Sequence, residues 1–410
     1  MADAPLDVVV MGAGACGLMA AISAAESGKQ TLILEKNRKP GVKILMSGGT
    51  RCNITHATDN RGIVEAYGPP GRFLHSPLAA LSVQATVDFF EAEGVATKVE
   101  ETGKIFPVSN KALDVLGALL RRLNRSGATL ALEEPVVDLD RTGDGFTITT
   151  SRRVITAAKV VLTTGGQSYP GAGTTGDGYA LAAKFGHTIV PPRPALVPIR
   201  VNVPWVAGLR GITLPHVGVR ILSGETSLAQ RRGSLLFAHF GLSGPVILDV
   251  SRVVSGHAQP ATLGLQIDVL PDRKEAELDD WLRQVSQSSA KKQLAVLLGD
   301  LAPRRLAEVV LGLAGIDSDR RAAGLSRTER SLLVRHLKHL QLPIVGTLGF
   351  EKAEVTAGGV SLDEVDSRTM QSKLVPGLYI AGEVLDLDGP IGGYNFQAAW
   401  STGWLAGSGR

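Results

Sequence analysis

The chain has 410 residues, 44% of them apolar and 20% charged, a composition that excludes a disordered or fibrous protein and a length that exceeds one ordinary core. Its 43 basic and 39 acidic residues leave a net charge of +4, and no basic run is interleaved with aromatics, which argues against a nucleic-acid partner. Two cysteines, Cys16 and Cys52, cannot form a disulfide framework and agree with a reducing compartment.

The first stretch, Asp7 to Asn37, reads as strand, tight loop, helix and strand. Val8, Val9 and Val10 form a continuous β-branched run, the pattern of a strand buried on both faces. Gly12, Gly14 and Gly17 follow as G-x-G-x-x-G: the first permits the turn, the second lets a pyrophosphate approach the backbone, and the third lets the helix pack on the strand. An Ala-rich helix spans Leu18 to Ala25, Gly28 ends it, and Thr31 to Leu34 forms the second strand. Glu35 closes that strand where a carboxylate accepts the hydroxyls of an adenosine ribose, so FAD or NAD fits better than NADP. The uncharged run Val8 to Ala25 is not expected to be a signal peptide or anchor, because Asp3 and Asp7 precede it and glycines interrupt it. No other stretch spans a bilayer, and the expected location is cytoplasmic.

Gly48, Gly49, Thr50, Arg51, Cys52 and Asn53 form a polar loop expected beside the ligand, with Arg51 able to meet a phosphate or carboxylate. Helices are expected over 75–95 and over Lys111 to Leu123. Short strands at Ala128 to Leu132, Val136 to Leu139, Phe146 to Thr150 and Arg153 to Ile155 suggest a meander, and Ala158 to Gly166 reads as a buried strand. A second G-x-G-x-x-G at Gly171, Gly173 and Gly176 lacks an adjoining strand and a ribose acid. It reads instead as the start of a helix over Tyr179 to Phe185 that returns Asp177 toward the first site. From Pro191 to about Ile267 prolines and short β-like runs suggest a separate lobe. Within it, His239 in FAHFGLSGP can exchange a proton near neutral pH. Residues 274–340 read as a helical lobe whose Arg335, His336, Lys338 and His339 mark a solvated face. The last 70 residues return to glycine-rich strands, Ala353 to Val360 and Leu378 to Ala381, then Gly382, Glu383, Gly392 and Gly393 before an Ala-rich helix over Ala398 to Ala406.

The class is therefore α/β, a Rossmann-like dinucleotide-binding domain with an inserted β-rich lobe and a small helical lobe. The expected partition is 1–193 with 353–410 for the dinucleotide domain, 194–273 with 341–352 for the β-rich insert, and 274–340 for the helical lobe.

The motifs GAGACG, SGGTRCN, TTGGQSYPGAGTTGDGY, FAHFGLSGP, VTAGGV and GLYIAGEVLDLDGPIGGYNFQAAWSTG, in that order, resemble those of the BaiN-like NAD(P)/FAD-dependent oxidoreductases. These are bacterial flavoproteins of the glutathione-reductase and fumarate-reductase FAD superfamily. The resemblance covers nearly the whole chain, makes the Rossmann-like domain an FAD-binding one and implies that Gly12, Gly14, Ala15, Gly17, Glu35 and Lys36 hold the ADP half of FAD. It places Val136 near the adenine and Thr164, Gly165, Gly166 and Asp177 along the cofactor. Gly382 and Glu383 would meet the pyrophosphate and ribitol, and Arg51, Asn53, Gly393, Asn395, Phe396 and Gln397 would lie on the flavin side. Where this chain has Thr50 the family usually has glycine, and where it has Cys16 commonly another small residue. A single cysteine in the loop after the first βαβ unit, Cys52, argues against a dithiol relay.

The implied activity is FAD-dependent hydride transfer between a reduced donor, with NAD(P)H a candidate, and an activated C=C bond or related small molecule. Arg51 and His239 are the candidate catalytic residues, as anion binder and proton donor. Relatives are linked to reduction of steroid-type enones. The alternatives are a flavin-binding sensor or scaffold without turnover and a flavin-dependent transferase acting on RNA. No metal is expected.

Overall fold

The structure, a computed structural model, describes residues 5–409, so Asp3 lies outside the described residues. It divides into two compact units: one runs up to Pro194 and resumes at Ala353, and the other is Ala195–Lys352.

The first unit is built on β1 (Leu6–Met11), α1 (Ala15–Glu26) and β2 (Thr31–Leu34). β1 lies between two parallel neighbours, pairing Val8 with Thr31 on β2 and Val8 with Lys159 on the strand Val154–Leu162. Both faces of β1 are covered, which is why its valines run without polar alternation. Thr129–Ala131 extends the sheet beyond β2, and Leu378–Ile380 pairs in parallel with Val160–Leu162. The two ends of the chain thus build one sheet. Gly145–Thr150 and Val136–Thr142 add an antiparallel meander on the far side.

Several elements differ in extent from their sequence signals. Val154–Leu162 is one strand rather than two, because it alternates where it joins the meander and is continuously buried where it joins β1. The helix expected over 75–95 breaks into His75–Ala80 and Val83–Ala92, where Ser82 caps the second by accepting from the Ala85 N–H at 3.0 Å. Ile189–Ala195 is a strand despite Pro191, Pro192 and Pro194, since it pairs with Val355–Val360 in a two-stranded ribbon. The last helix starts at Tyr394, four residues before the Ala-rich run. The second glycine motif forms a single 3-10 turn, Pro170–Ala172, followed by the helix Asp177–Lys184.

The second unit is a closed six-stranded antiparallel barrel. Around it run Ile199–Val201, Gly241–Ser243, Thr226–Ala238, Thr213–Ser223, Leu263–Asp268 and Leu340–Thr347. Val217, Val219, Ile221, Leu265 and Ile267 point inward and Arg220 and Gln266 outward, the period-two alternation of a barrel wall. The helix Pro245–Gly256 sends Val246, Ile247, Val250 and Val254 into the same core. Four further helices, Glu275–Ser288, Leu294–Leu298, Arg304–Leu313 and Arg327–Lys338, share that core through Leu278 and Leu282, Leu298, Leu306 and Leu337 respectively. No helix among the described residues is long and apolar enough to cross a membrane.

Candidate dinucleotide site

The turn between β1 and α1 is made by close backbone packing. Gly12 has φ of 100° and donates its N–H to Leu34 O at 2.8 Å. A Cβ on Gly17 would lie 1.8 Å from Gly12 O, so any larger residue pushes α1 off the turn. Gly14 caps α1 with no side chain supplying a hydrogen bond, no acid lies in the first turn, and the space in front of Gly14 is open. The result is a set of free N–H groups at a positive helix end facing a vacant approach. Glu35 stands at the end of β2, buried, and accepts from the N–H of Ala13 at 2.7 Å and of Asn37 at 2.8 Å. Those bonds fix both oxygens while leaving lone pairs for ribose hydroxyls.

Lys36 bonds Thr175 at 2.6 Å and pairs with Asp177 at the start of its helix. The glycine-rich segment after Thr163 therefore folds back onto the β2 end, as the sequence suggests. Burial alone would raise the Asp177 pKa, but the bonds from Lys36 and Thr175 outweigh it and hold the carboxyl below its ordinary value. Thr164 Oγ1 is buried and has no protein partner. Val136 opens its strand half-buried against the same core.

Glu383 is the centre of a cluster that sequence reasoning missed. Its carboxylate meets Lys43 Nζ at 2.5 Å, Ser168 Oγ at 2.8 Å and the Thr356 N–H at 2.9 Å. Thr356 Oγ1 in turn accepts from the N–H groups of Gln167 and Ser168, and Gly166 has no room for a Cβ beside it. The three partners lie far apart in the chain, so no local spacing marks them. Tyr179, buried with its hydroxyl unpartnered, has its pKa raised by burial and then by Glu383 and Asp386. Gly382 sits against Cys16, and its N–H donates to Thr402 Oγ1 at 3.1 Å.

On the flavin side the structure changes several expected roles. Gln397 is fully buried. Its amide oxygen accepts from Thr55 Oγ1 at 2.6 Å, and its amide nitrogen bonds Thr86 and Ser401 at 2.9 Å, so it fastens the last helix rather than facing a ligand. Asn395 spends its amide on Gly389 and Pro390, closing the loop that precedes the helix. Phe396 stacks on Trp400 at 5.2 Å. Arg51 pairs with Glu100 at 2.7 Å through Nη1 and lies 3.9 Å over the Phe106 ring, contacts that hold its loop. Asn53 keeps a buried Oδ1 without partner. Gly393, at φ of 96°, caps the helix Tyr394–Ser408 without a side-chain bond, its Cα packed against the Thr55 backbone where a Cβ would lie 2.5 Å from Thr55 O. His56 stacks on Tyr394 at 4.6 Å and bonds Gly392 O at 3.0 Å, holding that turn. Cys16 and Cys52 are free and buried, and burial pushes both thiols up to about 12, so neither supplies a thiolate near neutral pH.

His239 belongs to the other unit. It lines a hollow of about 370 Å³ in the barrel rim with Arg200, Val201, Asn202, Phe240 and Val345.

The residues of the first unit fit FAD. Two uncapped helix ends, the space before Gly14 and the orphaned Asn53 Oδ1 and Thr164 Oγ1 are what a bound dinucleotide would satisfy. Fold, site and family together define an FAD-dependent oxidoreductase. The Rossmann-domain model of HI0933-like proteins matches residues 6–409, and the chain belongs to that family. It is 33% identical over 401 residues to the ribosomal RNA dihydrouridine synthase of Escherichia coli (strain K12), covering 97% of this chain and 96% of that protein. It is also 33% identical over 401 residues to the 3-dehydro-bile acid delta(4,6)-reductase of Clostridium scindens, covering 97% of each. Among solved structures, the 3-ketosteroid-delta4-(5alpha)-dehydrogenase of Rhodococcus jostii RHA1 shares the fold with a TM-score of 0.52 at 16% identity, over 100% of this chain and 97% of that one.

Proposed function

We propose that the chain reduces a C=C bond conjugated to a carbonyl, that its substrate is uridine within RNA, and that NADH or NADPH is the electron donor. The two relatives named for their substrates act on rings of one electronic kind: the C5=C6 bond of uracil and the double bonds of a 3-oxo steroid are each conjugated to a carbonyl. FAD, when bound and reduced, would supply the hydride for the β-carbon, and a proton taken up at the α-carbon would complete the reduction of the C=C bond. The chain's part is to hold the dinucleotide. Glu35 would take the ribose, the α1 end the pyrophosphate, and the end of Tyr394–Ser408 the electron-rich edge of the flavin ring.

The observation that carries the choice of RNA is the charge of Ala195–Lys352. The whole-chain value of +4 is the sum of unlike parts: this unit has 20 Lys and Arg against 14 Asp and Glu, a net +6, and the remainder is net −2. Arg200, Arg210, Arg220 and Arg231 of the barrel make no ion pair among the described residues. A bile acid offers such cations at most one carboxylate, whereas a phosphate backbone offers one charge per nucleotide.

The test is anaerobic incubation of the FAD-loaded protein with NADH or NADPH and ribosomal RNA free of dihydrouridine, read by flavin absorbance and by mass spectrometry of the nucleosides. The expected result is bleaching by the donor, recovery of the absorbance on adding RNA, and dihydrouridine in the RNA. Recovery with a 3-oxo-Δ4,6 steroid and not with RNA overturns the substrate. A flavin that neither donor reduces overturns the donor, and a reduced flavin that no acceptor reoxidises favours a sensor.

A further inference from the structure

The hollow in the barrel rim is built by the strand ends themselves. Ala238 pairs with Gly241, leaving His239 and Phe240 as the two-residue turn of a hairpin. A Cβ on Gly241 would lie 2.4 Å from Ile199 O, so glycine lets the hairpin close against Ile199–Val201 and sets the turn beside Arg200. On the other side, the register between Ile199–Val201 and Leu340–Thr347 shifts at Arg200/Val201, which leaves Val345 without a paired residue. Such a bulge re-aims side chains at a barrel rim.

Four groups meet there with their bonding capacity unspent. The side chains of Arg200, Asn202 and His239 make no hydrogen bond or ion pair among the described residues, and the half-buried Phe240 packs edge-on against His239 at 5.0 Å. A cation, an amide with both a donor and an acceptor, an imidazole and an aromatic face are the parts that recognise one nucleotide of a single strand. The hollow, at about 370 Å³, lies in the size range of small-ligand sites.

We propose that this rim pocket is a nucleotide-binding subsite for single-stranded RNA. The base stacks on Phe240, its polar edge meets Asn202 and His239, and its phosphate lies on Arg200. The inference rests on the RNA reading above and assigns to the barrel a contact that the dinucleotide unit does not make.

The test uses the FAD-loaded full chain and a fluorescein-labelled oligouridylate, with anisotropy measured over a salt series, on wild type, Phe240→Ala, Phe240→Trp, Arg200→Ala and Asn202→Ala. Removing one stacking aromatic is expected to weaken binding about 5- to 100-fold and leave the salt slope unchanged, with Trp restoring it. Removing Arg200 is expected to weaken binding and reduce the salt slope by about one. Circular dichroism and thermal melting, which report the barrel as well as the flavin unit, show that each variant is folded, and the exposed Arg200 and Asn202 variants keep the test open if Phe240→Ala fails to fold. If wild type forms dihydrouridine and all folded variants bind as wild type, the subsite is overturned while the function stands. If wild type neither binds RNA nor forms dihydrouridine, both fall together.

Discussion

Both units carry ion pairs, but they differ in the cations that stand beside their candidate sites. In the dinucleotide unit the cations next to the site are paired: Lys36 with Asp177, Lys43 with Glu383, Arg51 with Glu100. What remains for a ligand is backbone N–H at two helix ends and a few orphaned side-chain oxygens. In the barrel unit Arg200 lines the hollow, and it and the wall residues Arg220 and Arg231 make no ion pair among the described residues, whereas Arg232 is paired with Asp272. The first arrangement is preorganised for one cofactor of fixed shape. The second suits a long, charged ligand that binds and leaves.

The comparison breaks most sharply at Gly17. Gly17→Val drives a side chain into the Gly12 carbonyl, and the expected product purifies without flavin, read from its visible absorbance. Next in size is Glu35→Gln. It removes charge-assisted bonds of about 1.5–3 kcal/mol, so FAD affinity should fall about 10- to 150-fold by titration calorimetry. RNA binding by the barrel should survive that change, which separates the two units functionally.

Much of the first unit was legible because its signals are local. The β1 valines, three glycines and Glu35 lie within 30 residues and each has one physical reading. The Glu383 cluster was not legible, since Lys43, Ser168 and Thr356 come together only when the sheet forms. Gln397 is placed on the flavin side by the family resemblance alone; its bonds to Thr55, Thr86 and Ser401, which only the folded chain shows, use its amide inside the protein. In the barrel, only fragments of Thr213–Ser223 and Thr226–Ala238 were visible. Register shifts at Leu214/Val217 and Ile221/Leu222 interrupt the alternation that marks a strand. Charge averaged over the whole chain also concealed the basic barrel unit.

A smaller effect concerns pH and only the dinucleotide unit. His187 is buried between Glu364 at 3.2 Å and Ser372 at 2.8 Å, and burial lowers its pKa despite Glu364. Its folded pKa lies below the unfolded value of about 6.5, so the stability it contributes is present above that pH and is lost as pH falls through the folded pKa. Thermal melts from pH 7 to 5 should show a decline in wild type that is shallower in His187→Gln, although that variant starts less stable. The smallest effect is at Thr50, which holds φ of 69° where glycine would be unstrained. Thr50→Gly should stabilise by about 1 kcal/mol or less, the relief of strain being partly offset by glycine's unfolded-state entropy.

The most direct test bypasses the donor. Protein-bound FAD is reduced chemically without oxygen and mixed in a single turnover with uridine-containing ribosomal RNA. The account predicts that the flavin absorbance returns and that about one dihydrouridine forms per flavin reoxidised, the stoichiometry of a two-electron transfer. A flavin that stays reduced in the presence of RNA, or is reoxidised without dihydrouridine, would contradict it.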